Sequence, residues 1–338
     1  MKAAVWYGGQ DIRIENRPKP TIGPEDVLVK VKAVGICGSD LHAYKGLSKR
    51  RVPPLIMGHE FAGLVEEVGD RSAGLGVGDR VTMNPAVPCG LCEQCVSGRM
   101  NLCRTRTHVG LDFPGAFADY VKAAGRAFHR IPDSVSFEEA TLAEPLSVGI
   151  HTANVSNMGK GETVLILGSG VIGLSCLIAA RERAGRILVS DIVRSRLDFA
   201  RSFGADAVID ASKVDPVEEI RRLTGGRGVD IAMEAVGLEK TVGQAISSVK
   251  EGGVVATVGL LDETIRINVL QIVLKELQLR GSYGRTEDDF TQALTILERD
   301  TSRIRRLITQ RFSLDDVLKA FETVSDAEQN AVKVVLIP

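Results

Sequence analysis

Two groups of residues in this 338-residue chain have the types and spacing of metal ligands. In the first, Cys37 stands in a Gly-Ile-Cys-Gly-Ser-Asp-Leu-His run, and His59 and Glu60 follow in a Gly-His-Glu-Phe-Ala-Gly run. A thiolate, an imidazole and a carboxylate suit zinc, and a catalytic zinc site needs three protein ligands and an open position. Sequence alone does not show that these residues meet, and each of them singly is also compatible with a buried structural role.

The second group is a cluster of cysteines separated by two, two and seven residues: Cys89, Cys92, Cys95 and Cys103. Four thiolates at short spacing predict a closed tetrahedral zinc site, which is structural because it leaves no position for a substrate. The competing interpretation is a zinc ribbon that binds nucleic acid. Arg99, Arg104 and Arg106 favour it weakly, but the segment lacks the basic, aromatic surface of such ribbons.

A third stretch, residues 164–191, is typical of a dinucleotide-binding turn. An apolar strand enters a glycine turn, a helix follows, and a second apolar strand ends at Asp191. The residues expected to approach the cofactor in this turn are Gly168, Gly170, Val171, Ile172 and Gly173. The amino terminus of the helix offers free N–H groups to a pyrophosphate. The Asp191 carboxylate can accept a hydrogen bond from a ribose 2′-hydroxyl and would repel the 2′-phosphate of NADP, so NAD is the expected cofactor.

Further contacts are expected where later strands end, because ligands of open parallel sheets bind at the carboxyl ends of the strands. The candidates at these ends are Val236, Val258 and Tyr283. Arg196, close after Arg194, either flanks the adenine or is solvated, and both arginines leave some tolerance of NADP open. Arg285 is the one cation at these strand ends and could contact a substrate hydroxyl or phosphate, although a surface salt bridge is equally compatible.

The composition of the chain argues against nucleic-acid binding and against a membrane span. Lys plus Arg number 42 and Asp plus Glu 43, which leaves a net charge of −1 and no field for nucleic acid. The apolar runs are shorter than a membrane span, and the start of the chain has no signal-peptide pattern. The expected partner is therefore a small molecule in the cytoplasm, with neither nucleic acid nor a membrane.

The periodicity of the chain changes along its length. Short alternating strands with frequent prolines predict a mainly β domain over residues 1–150, with the cysteine lobe at about 85–106. Strands then alternate with helices over 151–283, which predicts a doubly wound parallel sheet. Residues 284–338 are expected to return to the first domain. The fold class is therefore α/β with two domains.

The metal-ligand motifs are similar to those of the medium-chain, zinc-dependent alcohol dehydrogenase family. The family signature is matched in full by Gly58, His59, Glu60, Gly63, Gly69 and Ser72. The Cys-Gly-Ser-Asp-x-His run is also a family motif. The Glu-Pro-Leu-Ser-Val-Gly-Ile-His run that begins at Glu144 resembles the polyol (sorbitol-type) and threonine dehydrogenase branch. The resemblance covers nearly the whole chain.

The resemblance implies a role for each site residue. Cys37 and His59 would bind the catalytic zinc, with Glu60 or Glu144 as the further ligand. Ser39 would accept the substrate proton. His42 would pass the proton to solvent by way of the cofactor ribose. Tyr44 and Phe113 are candidates to line the substrate pocket.

Together these features predict a GroES-like catalytic domain and a Rossmann NAD-binding domain. The chain would bind two zinc ions and oxidise a polyol or another secondary alcohol. By resemblance it would be a homotetramer or a homodimer. The alternatives are an L-threonine 3-dehydrogenase, a sugar-phosphate dehydrogenase, and a cofactor-binding protein of the same fold that has lost turnover.

Overall fold

The computed structural model describes residues 1–72 and 74–338. The chain divides into two units, which are residues 1–144 with 286–338, and residues 145–285. The predicted division at 150/151 and 283/284 differs from these boundaries by a few residues. The first boundary falls inside one helix, whose first turn belongs with the first unit.

Regular elements cover most of the described residues. The strands are β1 (Lys2–Gly8), β2 (Asp11–Asn16), β3 (Asp26–Gly35), β4 (Leu55–Ile56), β5 (Glu60–Val68), β6 (Arg80–Met83), β7 (Ala86–Val87), β8 (Thr107–His108), β9 (Tyr120–Ala124), β10 (Phe128–Arg130), β11 (Thr163–Leu167), β12 (Arg186–Asp191), β13 (Ala207–Asp210), β14 (Val229–Glu234), β15 (Val249–Thr257), β16 (Gln278–Gly281), β17 (Ile308–Ser313) and β18 (Lys333–Ile337). The helices are α1 (Gly38–Tyr44), α2 (Glu93–Val96), α3 (Phe137–Ala140), α4 (Ala143–Val155), α5 (Val171–Ala180), α6 (Arg194–Ser202), α7 (Pro216–Leu223), α8 (Glu239–Ser248), α9 (Val269–Leu274), α10 (Glu287–Ile304) and α11 (Val317–Ser325).

The first unit is built around β3. A seven-stranded sheet has the order β10-β6-β5-β3-β18-β17, with β9 also paired to β3, and a smaller sheet has the order β2-β1-β4. The last strand, β18, pairs antiparallel with the end of β3, so the carboxyl-terminal segment completes this sheet. Side chains from both sheets and from α11 share one apolar core. That core holds the ends of β3 and β5, where the first metal-ligand motifs lie.

The second unit contains a six-stranded parallel sheet in the order β13-β12-β11-β14-β15-β16. This order places β11 at the centre and reverses direction between β11 and β14. A dinucleotide-binding crevice opens at such a reversal. The doubly wound parallel sheet predicted from the sequence is therefore confirmed.

Two local features differ from simple turn and loop expectations. The segment after Cys37, in which the glycines of the Gly-Ile-Cys-Gly run would favour a turn, is helix α1. The Asp40 side chain accepts from the Cys37 N–H and so caps the helix at its start. Helix α9 was not predicted, since its Val-Leu-Gln-Ile-Val-Leu sequence lacks helical amphipathicity. None of the described helices combines the length and apolar character needed to cross a bilayer.

Candidate active site

The first ligand group converges at the ends of β3 and β5. Cys37 follows β3, while His59 and Glu60 lie at the start of β5, which pairs antiparallel with β3. One ligand atom from each of these three residues lies within 4.8 Å of the other two. His59 and Glu60 are almost fully buried, with 4% and 1% of their surface exposed.

This arrangement fits a zinc ion. Around tetrahedral zinc, a thiolate and a nitrogen or oxygen ligand are about 3.3–3.8 Å apart. Glu60 Oε2 pairs with Lys333 Nζ at 2.5 Å. The other oxygen, Oε1, is buried without a hydrogen-bond partner among residues 1–72 and 74–338. Such an atom costs free energy unless something coordinates it, and a cation would satisfy it.

Asp40 connects the two metal-ligand candidates of β3 and β5. Its Oδ2 accepts from the Cys37 N–H at 3.0 Å, and its Oδ1 lies 3.5 Å from His59 Nδ1. Burial alone would raise the pKa of Asp40, but His59 and Arg51 lower it to about 2. At 3.5 Å this contact is not a hydrogen bond, and His59 Nδ1 has no hydrogen-bond partner among residues 1–72 and 74–338. With the carboxylate facing Nδ1, the other ring nitrogen, Nε2, is left for the metal.

Lys333 is a buried cation beside this cluster. Its Nζ donates to Glu60 and to the main-chain oxygen of Ile36, and only 1% of its surface is exposed. Burial alone would lower the pKa of Lys333, yet the nearby carboxylates and thiol raise it above its ordinary value. The ammonium group therefore holds Glu60 in place while it remains charged.

Glu144 lies near the cluster but outside the three-residue group. It is 5% exposed on the first turn of α4. The pKa of Glu60 is raised by burial and by the charge of Glu144, against the lowering effect of Lys333. The structure therefore brings Glu60 to the other two ligands, with Glu144 within electrostatic reach of the same carboxylate.

Helix α1 carries the two relay candidates. Ser39 is exposed on its first turn, and His42 is half-buried on its last turn. The Ser39 hydroxyl accepts from Arg51 Nη2 at 3.3 Å. Both side chains therefore lie on the short helix that starts at the Cys37 ligand.

The two pocket candidates are placed differently from each other. Tyr44 is 5% exposed, and its ring stacks on Phe321 with centroids 4.7 Å apart. Helix α1 directs Tyr44 into the hydrophobic core, so Tyr44 is not among the residues proposed to contact a substrate. Phe113 is 51% exposed in the loop after β8.

The four-cysteine group also comes together. The Cys89 sulfur lies 3.8 Å from that of Cys95 and 3.6 Å from that of Cys103, and the sulfurs of Cys92 and Cys95 are 3.5 Å apart. Tetrahedral zinc with four thiolates would separate them by about 3.8 Å. All four sulfurs belong to one compact group, which fits a zinc ion closely.

Main-chain N–H groups prepare this lobe for a metal. The N–H of Cys92 donates to the Cys89 sulfur, and hydrogen bonds from the Leu91 and Cys92 backbone lower the pKa of Cys89 to about 6. Burial raises the pKa of Cys95 to about 12. A metal must therefore displace protons from some of these thiols, as thiolate sites generally require.

The glycine turn has the shape of a pyrophosphate site. Gly168 adopts a φ of +89°, and a Cβ on Gly173 would lie 1.8 Å from the Gly168 carbonyl oxygen. A Cβ on Gly170 would meet no atom within 4 Å, so the space beside the turn is open. Helix α5 begins here without a side-chain cap, which leaves its first N–H groups available to an anion. These residues fit a dinucleotide.

Asp191 ends β12 beside this turn. Its Oδ2 accepts from the N–H and hydroxyl of Ser169 at 2.6 and 2.9 Å, and its Oδ1 accepts from the Val193 N–H at 2.9 Å. Asp191 is 9% exposed. The carboxylate is therefore held at the strand end predicted for ribose recognition.

The remaining cofactor candidates lie at strand ends or on α6. A methyl group of Val236 would lie 2.6 Å from a Cβ on Gly168, so this residue borders the glycine turn. Val171, Ile172, Val258 and Tyr283 are half-buried. Arg196 lies half-buried on α6, where its neighbour Arg194 pairs with Asp198 at 3.2 Å. Arg285 is 7% exposed at the end of the second unit.

Three residues of the site were missed by the sequence analysis: Asp40, Arg51 and Lys333. Asp40 stands inside the quoted Cys-Gly-Ser-Asp motif, but its function as a link between ligands depends on the fold. Lys333 carried a usable signal, since it is a lone charge in the apolar run of β18. Arg51 stands in a basic Lys-Arg-Arg run that looks solvated in the sequence.

Comparison with known proteins covers both units. Residues 23–133 match the family model of the alcohol dehydrogenase GroES-like domain, and residues 171–299 match that of zinc-binding dehydrogenases. A sorbitol dehydrogenase of Bacillus subtilis is 39% identical, over 100% of this chain and 97% of its own length. An L-idonate 5-dehydrogenase of Vitis vinifera is 37% identical, over 98% of this chain and 93% of its own length.

A solved structure shows the same similarity in three dimensions. A zinc-binding dehydrogenase of Sinorhizobium meliloti, bound to NADP, superposes with a TM-score of 0.91 at 33% identity. The alignment covers 100% of this chain and 99% of that one. The similarity therefore extends over both units and both candidate metal groups.

Proposed function

This chain is an oxidoreductase of the medium-chain, zinc-dependent alcohol dehydrogenase family, and from that premise we propose that it oxidises a polyol to the ketone with NAD. The observation that carries the proposal is the buried group of Cys37, His59 and Glu60, with ligand atoms within 4.8 Å of one another. Support for a polyol comes from the full-length similarity to sorbitol and L-idonate dehydrogenases. Other secondary alcohols remain within the same chemistry.

Cys37, His59 and Glu60 are proposed to hold the catalytic zinc. Glu60 is favoured over Glu144 because it belongs to the group formed with the other two ligands, and one of its oxygens is buried without a hydrogen-bond partner among residues 1–72 and 74–338. When bound, zinc polarises the hydroxyl oxygen of a substrate and makes its proton acidic near neutral pH. Lys333 keeps Glu60 in position by its contact at 2.5 Å.

Ser39 and His42 are proposed to move the substrate proton. The Ser39 hydroxyl, two residues after a zinc ligand, takes the proton from the substrate hydroxyl. His42, three residues further along the same helix, would then pass a proton to solvent. Both residues lie on α1, which fixes them relative to Cys37.

NAD is proposed as the hydride acceptor. Gly168, Gly170 and the start of α5 would hold its pyrophosphate, and Asp191 would accept from its ribose hydroxyls. Arg285 and Phe113 are proposed to face the substrate. The four-cysteine lobe is proposed to hold a second, structural zinc ion.

The proposal is tested by the appearance of reduced-nicotinamide absorbance when zinc-loaded protein meets a substrate panel. The panel contains sorbitol, xylitol, ribitol, butanediol, L-threonine and hexitol phosphates, each with NAD and with NADP. We expect the highest kcat/KM with a polyol and NAD. A higher kcat/KM for L-threonine or for a hexitol phosphate would identify that compound class as the substrate in place of a polyol. No turnover of any compound in the panel, with zinc and NAD both bound, would favour the non-catalytic alternative.

A second copy of the chain is proposed to cover the exposed face of α9 and β16. Val269, Leu270, Val273 and Leu274 are 60–73% exposed on this short helix. Strand β16 ends its sheet, and no strand within residues 1–72 and 74–338 pairs with its outer edge. An open strand edge is a template for pairing with another chain, and a two-fold interface uses the same patch of both copies, so this apolar surface and edge suit a second copy of the chain. Sedimentation velocity should show a dimer or tetramer that Leu270→Glu dissociates, and a wild-type monomer would contradict this.

The cytoplasm is proposed as the working compartment. All six cysteines, which lie in the described part of the chain, are free, and four of them form one cluster. Oxidising compartments would favour disulfides in such a cluster. Recovery of the protein outside the cytoplasm on cell fractionation would contradict this assignment.

A further inference from the structure

Arg51 lies buried beside the proposed active site, and its planar guanidinium, here called the fork, donates hydrogen bonds from all three of its nitrogens. It lies in the loop between α1 and β4 and is 7% exposed. Its Nε donates to the Gly110 carbonyl at 3.1 Å, and its Nη1 donates to the Ser39 carbonyl at 2.6 Å. Its Nη2 donates to both the Ser39 hydroxyl, at 3.3 Å, and Asp40 Oδ1, at 2.7 Å. One planar group therefore contacts the relay hydroxyl and a carboxylate of the metal site.

The contact with Asp40 reaches two of the three zinc-ligand candidates, Cys37 and His59. Asp40 is fully buried, accepts from the Cys37 N–H, and lies 3.5 Å from the His59 ring. Arg51 Nη2 approaches the same oxygen, Oδ1, that faces His59. A bond from a guanidinium fixes the rotation of a carboxylate, because the planar donor and planar acceptor allow few geometries. Arg51 therefore restrains the residue that orients the imidazole.

The contact with Ser39 sets the direction of its hydrogen bonds. A guanidinium has no acceptor, so the Ser39 oxygen must accept in this pair. One lone pair of that oxygen is then occupied, and the other remains for a proton arriving from a substrate. The hydrogen of the hydroxyl must then point away from Arg51, and His42, three residues further along α1, shares that face of the helix. The fork thus favours the relay sense that alcohol oxidation needs.

We propose that Arg51 is a positioning residue that aligns the proton relay and the zinc-ligand imidazole through a single guanidinium. The part that concerns the relay, called the relay half, rests on the proposed function. The part that concerns the metal ligands, called the metal half, depends only on the chain's own ligand residues. A point charge cannot replace the fork, because the ammonium of lysine cannot occupy both Nη positions. The guanidinium geometry, and not only its charge, should therefore matter.

Arg51→Met and Arg51→Lys test the proposal, with Arg80→Met as the matched control. Arg80 also ties a loop through carbonyl oxygens, those of Pro132, Asp133 and Val135, but touches neither the relay nor the metal group. Four quantities are measured: zinc affinity by chelator competition, the visible spectrum of the cobalt(II)-loaded protein, kcat and KM separately, and the melting temperature.

We expect Arg51→Met to weaken metal binding by about 10- to 100-fold, as loss of support behind a ligand does. It should shift the cobalt spectrum and lower kcat by about 100-fold with little change in KM. Arg51→Lys should recover most of the metal affinity but not kcat. Arg80→Met should lower only the melting temperature.

Three outcomes would overturn the proposal. The first is wild-type metal affinity, spectrum and kcat in folded Arg51→Met. The second is equal recovery of affinity and kcat by lysine, which would reduce Arg51 to a charge. The third is the same losses in Arg80→Met, which would make them a general effect of loop loosening. If the wild-type protein oxidises no alcohol, the proposed function fails, while metal affinity and the cobalt spectrum still decide the metal half.

Discussion

Replacement of Cys37 by alanine should lower kcat/KM by about 10³-fold or more, because a metal ion contributes several kcal/mol of transition-state stabilisation. A catalytic zinc site needs three protein ligands, and without this thiolate only His59 and Glu60 remain in the group. Zinc content should fall from two ions per chain to one, since the four-cysteine lobe is a separate group. Affinity for NAD should stay within about 3-fold, because the glycine turn lies in the other unit. Metal analysis, turnover and a cofactor titration measure these effects.

Two other cysteine variants serve as controls. Cys92→Ser should also remove one zinc ion, but it should lower the melting temperature by about 5 °C or more while zinc stays at Cys37. Cys176→Ala removes a buried thiol on α5 that belongs to neither metal group, so zinc content should be unchanged. Full turnover in Cys37→Ala would end the zinc mechanism. Loss of hydride transfer without loss of stability in Cys92→Ser would show that the lobe is not structural.

Replacement of Asp191 by glycine should move the cofactor preference from NAD towards NADP by about 100-fold or more. A hydrogen bond to a charged group contributes about 1.5–3 kcal/mol, which corresponds to about 10- to 100-fold in kcat/KM with NAD. With NADP, the variant loses the repulsion between the carboxylate and the 2′-phosphate. It also frees the N–H groups of Ser169 and Val193, which the carboxylate now occupies and which can bind a phosphate.

Asp191→Asn is the companion variant, since it removes the charge but retains one acceptor oxygen, which can serve either the Ser169 or the Val193 N–H. Its preference should fall between those of wild type and Asp191→Gly, and its melting temperature should lie closer to wild type. The ratio of kcat/KM for the two cofactors is the measured quantity. An unchanged ratio in both folded variants would remove Asp191 from cofactor selection.

The local pattern of the chain was sufficient to predict the second unit. Five of its six strands contain a short apolar run, β16 being the exception, and the run before Gly168 leads through the glycine turn into a helix. Parallel strands and their helices are contiguous in sequence, so periodicity shows both the elements and their order. The reversal between β11 and β14 then follows from one crossover, and Asp191 lies where that topology places it.

The first unit and its site depend on contacts that sequence spacing does not contain. Lys333 reaches Glu60 across 273 positions, because the last strand pairs with β3. Tyr44 was predicted to line the substrate pocket, whereas in the structure its ring stacks on Phe321, because helix α1 directs it into the hydrophobic core. Arg51 and Asp40 meet only because the loop after α1 folds back over that helix.

The central claim is that this chain transfers a hydride from a polyol carbinol carbon directly to NAD, with the metal at Cys37, His59 and Glu60. The most direct test takes the polyol of the panel that gives the highest kcat/KM, deuterated at all of its carbinol carbons, and supplies it with NAD to zinc-loaded protein and to protein freed of metal. We expect the reduced nicotinamide to contain deuterium, and we expect chelation to abolish its formation until zinc is restored. Reduced nicotinamide without deuterium would contradict direct hydride transfer, and equal formation by the metal-free protein would contradict the role of the metal.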